Sequence, residues 1–318
     1  MIGLPRLGCS SCRRDGIILD MSLKILISLS ILLTRMPVAP RQQQSDQFLI
    51  AATENSSGLV PSLAPLSAPF DKGKLIVVQG IVNSAKRVNV LIDTGATRSI
   101  ISPRLAKVLQ LRTLRKKVEF IAGDRTLRTR LVHLPSLELG PIRRPLACLV
   151  ADLPLPELEL LIGWDMLSDI AFTVDFENRF LNWAPEEALE YRIPFDASHK
   201  QIIVPLKLGT REIPVLLDSG ADTLYLFGKE VGSWLNTLPD EPQRRIGHLS
   251  YERRGSKIRL SRVDLGGEIF ERMRAVILEP DLSPESHVHN WQGLMGMSVL
   301  NAKRARFDFP NGLFSWDR

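Results

Sequence analysis

Two stretches decide how this chain is read: Val90-Leu91-Ile92-Asp93-Thr94-Gly95-Ala96 and, 125 residues on, Val215-Leu216-Leu217-Asp218-Ser219-Gly220-Ala221. Each is an aliphatic run ending in Asp, followed by a hydroxyl residue, Gly and Ala. A buried strand that feeds a tight loop has this form, since the apolar run fixes the loop and Gly lets another backbone come close. Taken singly, Asp-Thr-Gly and Asp-Ser-Gly are also ordinary turns. Two copies at a fixed interval, with further matching landmarks behind them, make a repeat.

The landmarks follow in one order. Leu137-Glu138-Leu139-Gly140 is answered by Val263-Asp264-Leu265-Gly266, and Leu161-Ile162-Gly163-Trp164 by Leu294-Met295-Gly296-Met297. Each copy closes on a strand pair, Phe172 to Trp183 in the first and Arg306 to Trp316 in the second. The runs between are short, β-branched or aliphatic, and broken by Gly, Pro and Asn, which is strand and turn chemistry. Asn311-Gly312 reads as a two-residue hairpin turn. Short helices are expected over Ser102 to Leu109 and Lys229 to Leu238, with one helical turn after each aliphatic-aliphatic-Gly. The fold class is therefore all-β, in two tandem domains, 72–188 and 189–318, bridged over Ala184 to Lys200.

Outside the repeat, residues 1–44 read as a leader with a signal peptide, and residues 45–71, rich in Gln, Ser, Ala and Pro, as a flexible linker. The nine-residue run Ile25 to Leu33 behind Lys24 is too short to span a bilayer, which takes about 20 apolar residues, and fits a signal-peptide h-region with its start at Met21. The expected location is exported, periplasmic or extracellular, and an uncleaved leader would anchor the chain to a membrane. The leader holds six basic residues against two acidic ones, so only +2 of the chain's +6 remains for the body. With no basic run interleaved with aromatics, no nucleic acid partner is expected. Cys9 and Cys12 lie in the leader and Cys148 stands alone in the body, so there is no disulfide framework. His287-Val288-His289 reads as a surface loop rather than a metal site, and Trp164, Met166, Met295 and Met297 as core filler. G-x-S-x-G, H-E-x-x-H, P-loop and dinucleotide patterns do not occur.

If a pseudo-two-fold axis relates the domains, Asp93 faces Asp218 across a shared water. Two carboxylates so placed share one proton and titrate as a pair. One takes a proton from the attacking water; the other protonates the carbonyl oxygen. Such a site needs neither metal nor cofactor. Ile162-Gly163 and Met295-Gly296 would pack against the loops from behind.

The aliphatic-aliphatic-Asp-Thr/Ser-Gly-Ala loops, the later aliphatic-aliphatic-Gly and the closing hairpin together resemble the retropepsin-like aspartic proteases, the family of retroviral proteases and their cellular relatives. The likeness covers about 72–318, twice, as if two retroviral-size halves were fused. It implies a closed β-barrel-like fold per half, a cleft between the halves, and an aspartic endopeptidase acting on peptide or protein substrates. Each half could pair with another molecule, but effective concentration favours the intramolecular pair, a monomer that is its own pseudo-dimer. An interlock of the Thr94 and Ser219 hydroxyls is implied too, in loops completed by Gly95, Ala96, Gly220 and Ala221. So is a β-hairpin flap in each half, with candidates Ile121-Ala122-Gly123 and Ile246-Gly247. Ile121, Leu224 and Ile246 suggest apolar side chains flanking the cut. Two departures stand out. Asp222, where the first copy has Thr97, would perturb the pair if it lay near the cleft but reads rather as an exposed capping residue, and Arg98 would lower the pair's pKa values if it pointed inward. The rival reading is a noncatalytic exported peptide-binding module of the same fold.

Overall fold

A computed structural model describes residues 63–65, 75–122, 125–197, 200–227, 244–247, 252–278 and 291–318; for 63–65, 121, 122, 125, 244–247 and 252–254 the description is of the backbone. The leader, most of the linker, the helix expected over Lys229 to Leu238 and the His287-Val288-His289 stretch lie outside these residues.

The first-half elements in chain order are β1 (Leu63–Pro65), β2 (Val77–Val82), β3 (Lys86–Ile92), β4 (Ile100–Ile101), α1 (Pro103–Val108), β5 (Arg112–Ala122), β6 (Arg125–Leu139), β7 (Ile142–Val150), β8 (Leu160–Ile162), α2 (Trp164–Leu167), β9 (Ala171–Asp175) and β10 (Phe180–Asn182). There follow β11 (Tyr191–Pro194), β12 (Ile203–Leu208), β13 (Arg211–Asp218), β14 (Leu224–Phe227), β15 (Arg244–Gly247), β16 (Glu252–Leu265), β17 (Glu268–Leu278), β18 (Gly293–Gly296), β19 (Arg304–Asp308) and β20 (Leu313–Asp317). The turn of helix expected after each aliphatic-aliphatic-Gly is present, as α2 and as a 3-10 turn at Met297–Leu300. Helix α1 starts where expected: Ser102 caps it by accepting the Leu105 N–H at 3.2 Å, and Pro103 sits at a position that needs no donor.

Each half is one seven-stranded sheet, β2-β3-β8-β4-β7-β6-β5 and β12-β13-β18-β14-β17-β16-β15, the same order twice. A further pairing, β2 with β6 and β12 with β16, joins the ends of six strands into a ring. Each half is therefore a closed barrel whose seventh strand, β5 or β15, pairs among the described residues only with the long strand after it. Closure leaves few unpaired backbone groups at the edges.

The closing strand pairs do more than end each copy. They form a third sheet, β1-β10-β9-β19-β20-β11, drawn from both halves. Strands β9 and β19 pair antiparallel with Phe172 opposite Phe307, their rings stacked at 5.1 Å. One apolar core runs through both barrels and this sheet, from Val90 and Ile92 through Phe172 and Phe307 to Val215 and Leu217.

Two expectations need correction. Leu63–Pro65, within the stretch read as a linker, is a strand antiparallel to β10; three residues carry no periodicity, and their partner is far along the chain. The turn at Asn311-Gly312 is a four-residue connection between β19 and β20, and of the two only Gly312 has positive φ (58°). Asp308 selects the longer turn by accepting from the Asn311 N–H and its side-chain amide. Asp175 does the same for Asn178 in the first half, where Arg179 takes the left-handed position at φ 62°.

Candidate active site

Alternation along β3 and β13 sets the site. Val90 and Ile92 face the main core, while Leu91 joins a second cluster with Ala96, Ile100 and Leu161 on the face of Asp93. Leu216, with Ala221, Tyr225 and Leu294, repeats this beside Asp218. The parallel neighbours β8 and β18 hold the strand ends from one side, Ile92 beside Ile162 and Asp218 beside Gly296. The Asp93 N–H donates to the Ile162 carbonyl at 3.0 Å.

Both aspartates are almost fully buried, at 1% and 0% exposure. The Gly95 and Ala96 N–H groups donate to Asp93 Oδ1 at 2.9 and 3.1 Å, and the Gly220 N–H donates to Asp218 Oδ1 at 2.8 Å. The two carboxyls meet at Gly220. A Cβ there would lie 3.0 Å from Asp93 Cγ and Oδ2 and 3.2 Å from Asp218 Oδ1. Glycine is the residue that leaves this space open.

The loops grip each other. The Thr94 N–H donates to Ser219 Oγ at 3.0 Å and the Ser219 N–H to Thr94 Oγ1 at 3.0 Å. Each hydroxyl passes its own proton onward, Thr94 to the Leu217 carbonyl at 3.0 Å and Ser219 to the Ile92 carbonyl at 2.7 Å. Behind the loops, a Cβ on Gly163 would come 2.5 Å from the Ala96 oxygen, and one on Gly296 2.4 Å from the Ala221 oxygen. Ile162 and Met295 are fully buried beside them.

Ile121 and Ala122 end β5, paired with Thr126 and Arg125, and Gly123 lies outside the described residues. Ile246 and Gly247 are ladder residues of β15, opposite Arg253 and Glu252. Both flap candidates thus belong to β-hairpins. Leu224 lies in the main core rather than beside the aspartates.

Asp222 is not an exposed cap. It is half-buried, accepts the Tyr225 hydroxyl proton at 2.9 Å, and burial pushes its carboxyl up to about 6. Tyr225 is buried completely; that burial, then Asp222 and Asp218, push its phenol well above the usual range. Arg98 approaches Asp165 at 3.9 Å instead of turning onto the aspartate pair. Asp165 and Ser99 carry no signal in the repeat, since Ser298 stands where Asp165 does and Leu224 where Ser99 does. Among the described residues, no three His, Cys, Asp or Glu side chains gather as a metal site.

Residues 78–169 match the family model described as gag-polyprotein putative aspartyl protease. This bears out the resemblance over the first barrel, from β2 to the turns after α2. No curated protein matches the chain.

Proposed function

We propose that this chain is an aspartic endopeptidase in which Asp93 and Asp218 activate one water for attack on a peptide bond. The reading rests on a single observation: two buried carboxyls, one from each of two like barrels, come together at Gly220. Carboxylates this close cannot both ionise cheaply, so the pair holds one proton. The ionised partner takes a proton from the water as its oxygen bonds to the scissile carbonyl carbon. The protonated partner gives its proton to the carbonyl oxygen, forming a tetrahedral diol. Collapse of the diol breaks the C–N bond as the leaving nitrogen gains a proton, and the pair returns to one shared proton. Backbone N–H groups on the loops hold the carboxylates in orientation at no cost in added charge.

In this reading the halves, 72–188 and 189–318, act as one monomer, and the substrate is a peptide or protein lying between them. The leader supports export, with membrane anchoring if it is retained. Activity is expected on the acidic side, because the pair must keep its proton.

The test is cleavage of an unbiased peptide library across pH by residues 45–318, beside Asp93→Asn and Asp218→Asn. Loss of cleavage in both variants, with fold and monomeric state kept, supports the reading. Peptide binding by the unaltered protein without cleavage at any pH would transfer support to a noncatalytic peptide-binding module.

A further inference from the structure

The two halves brace their aspartate loops with different chemistry. In the first, Asp165 Oδ1 accepts the Ser99 hydroxyl proton at 2.6 Å and Oδ2 accepts the Ser99 N–H at 3.1 Å. The same Ser99 oxygen accepts the Gly163 N–H at 3.2 Å. The next amide, Trp164, donates to the Ala96 carbonyl at 2.7 Å, and the Ala96 N–H in turn bonds the Asp93 carboxylate. A short series of hydrogen bonds therefore runs from Asp165 to Asp93. In the second half Ser298 occupies the place of Asp165 and Leu224 that of Ser99. There the Ser298 hydroxyl donates to the Asp222 carbonyl, so a hydroxyl stands where the first half has a carboxylate; the loop's own carboxylate, Asp222, accepts from Tyr225 instead.

The carboxylate is an expensive choice for this position. Its side chain is 14% exposed, and burial pushes its pKa up against the opposing pull of the two Ser99 bonds and of Arg98. Arg98, 37% exposed and 3.9 Å away, is a loose partner. Cys148, buried nearby, feels the same negative charge and is pushed up, chiefly by its own burial. A buried, weakly paired charge lowers stability, and the other barrel manages its loop with a neutral serine. What the charge adds is a stronger acceptor: hydrogen bonds to a carboxylate are roughly twice as strong as those between neutral groups.

We propose that Asp165 is a positioning residue for Asp93, acting through Ser99, Gly163 and Ala96 to fix the turn on which that carboxylate sits. The proposal rests on the aspartic endopeptidase reading. It makes the Asp93 loop the member of the pair braced by a carboxylate from behind, where the Asp218 loop has the Ser298 hydroxyl at the matching position.

The test compares steady-state kinetics of the unaltered protein with Asp165→Asn, Ser99→Ala and the double variant, on a substrate found by library cleavage. Asp165→Asn keeps the side-chain shape but has one acceptor where the carboxylate has two, so either the Ser99 N–H or the Ser99 hydroxyl proton loses its acceptor. The expected result is a kcat lower by about ten- to a hundredfold with KM within about twofold, since a small misplacement of a reacting group has that effect. Ser99→Ala should lose a similar factor, and the double variant no more than the larger single loss. Thermal melts separate this from a general structural role. Because burial has raised the folded-state pKa of Asp165, the unaltered protein should gain stability relative to Asp165→Asn as pH falls from neutral into the ordinary carboxylate range. An unchanged kcat, a loss confined to KM, multiplicative losses in the double variant, or a loss that follows the folded fraction would each overturn the proposal. If the unaltered protein cleaves nothing, the endopeptidase reading fails before the variants are compared, and this inference fails with it.

Discussion

Thr94 and Ser219 each donate a backbone N–H to the other's side-chain oxygen at 3.0 Å, and each passes its own hydroxyl proton to a carbonyl of the opposite half. The arrangement is reciprocal even though one residue is Thr and the other Ser, because only the hydroxyl takes part. It ties two loops 125 residues apart into one unit. Both residues are buried, so no water replaces a lost partner.

Ser219→Ala should therefore strand two buried backbone groups, the Thr94 N–H and the Ile92 carbonyl, each at about 1–3 kcal/mol. Thr94→Ser keeps every hydrogen bond and loses one methyl, about 1 kcal/mol. Urea unfolding of the two variants measures the contrast. Equal destabilisation would mean that the hydroxyls are not what holds the loops.

The glycines separate fold from chemistry. Gly163→Ala and Gly296→Ala place a Cβ 2.5 and 2.4 Å from backbone carbonyl oxygens, which cannot swing aside, and should lower stability by at least about 1–3 kcal/mol. In Gly220→Ala the new methyl meets the Asp93 carboxyl at 3.0 Å, so if Asp93 and Asp218 are the proposed catalytic pair, cleavage should fall much further than the melting temperature does. Gly209→Ala meets nothing within 4 Å and carries only the strain of φ +63°. Circular dichroism melts and peptide cleavage on the four variants rank them.

The sequence made the aspartate loops legible because their strands, Val90 to Ile92 and Val215 to Leu217, are apolar on both faces and their turns demand Gly at matched places. Leu161-Ile162-Gly163 could be assigned to the loop's rear for the same reason, since a parallel neighbour of a buried strand must itself be apolar. What escaped was set by tertiary context. A three-residue strand such as Leu63–Pro65 has no period to detect, and its pairing with β10 is decided by an edge that exists only after folding. Asp165 and Asp222 look like surface acids in sequence; they are half-buried because Ser99 and Tyr225 donate to them. The strand pairs at Phe172 and Arg306 were visible as hairpins, but nothing local says that two hairpins from different copies will share one sheet.

Asp222 gives a pH signature of its own. Burial raises its folded-state value to about 6, while the unfolded chain titrates near the ordinary value of about 3.9. The folded state thus holds the proton more tightly, and stability rises as pH falls through about 6, levelling off below the ordinary range. Asp222→Asn should be more stable than the unaltered protein at neutral pH, and the advantage should shrink as pH falls below about 6. Chemical denaturation at several pH values decides it: a difference that does not vary between neutral and acid pH would place the ionisation elsewhere.

The sheet shared by the two halves carries one core through both barrels, and from that follows an expectation about how they unfold. Phe172 and Phe307 are fully buried, stack at 5.1 Å across the β9–β19 junction, and belong to the core that reaches both barrels. Phe172→Ala opens a cavity there, with an expected cost of about 3–5 kcal/mol. Phe307→Ala should cost about as much. Because the rings touch, the pair of substitutions should fall short of the sum by about 0.5 kcal/mol or more. Barrels joined only by a tether would unfold in two steps, with Phe172→Ala lowering the first barrel's step alone. A continuous core predicts a single calorimetric transition that moves as a whole in either variant. Under the proposed endopeptidase reading it also predicts that cleavage per molecule is independent of protein concentration, since that reading takes both aspartates from one chain. Two resolved transitions, or a specific activity that rises with concentration, would show that the junction does not hold the halves together.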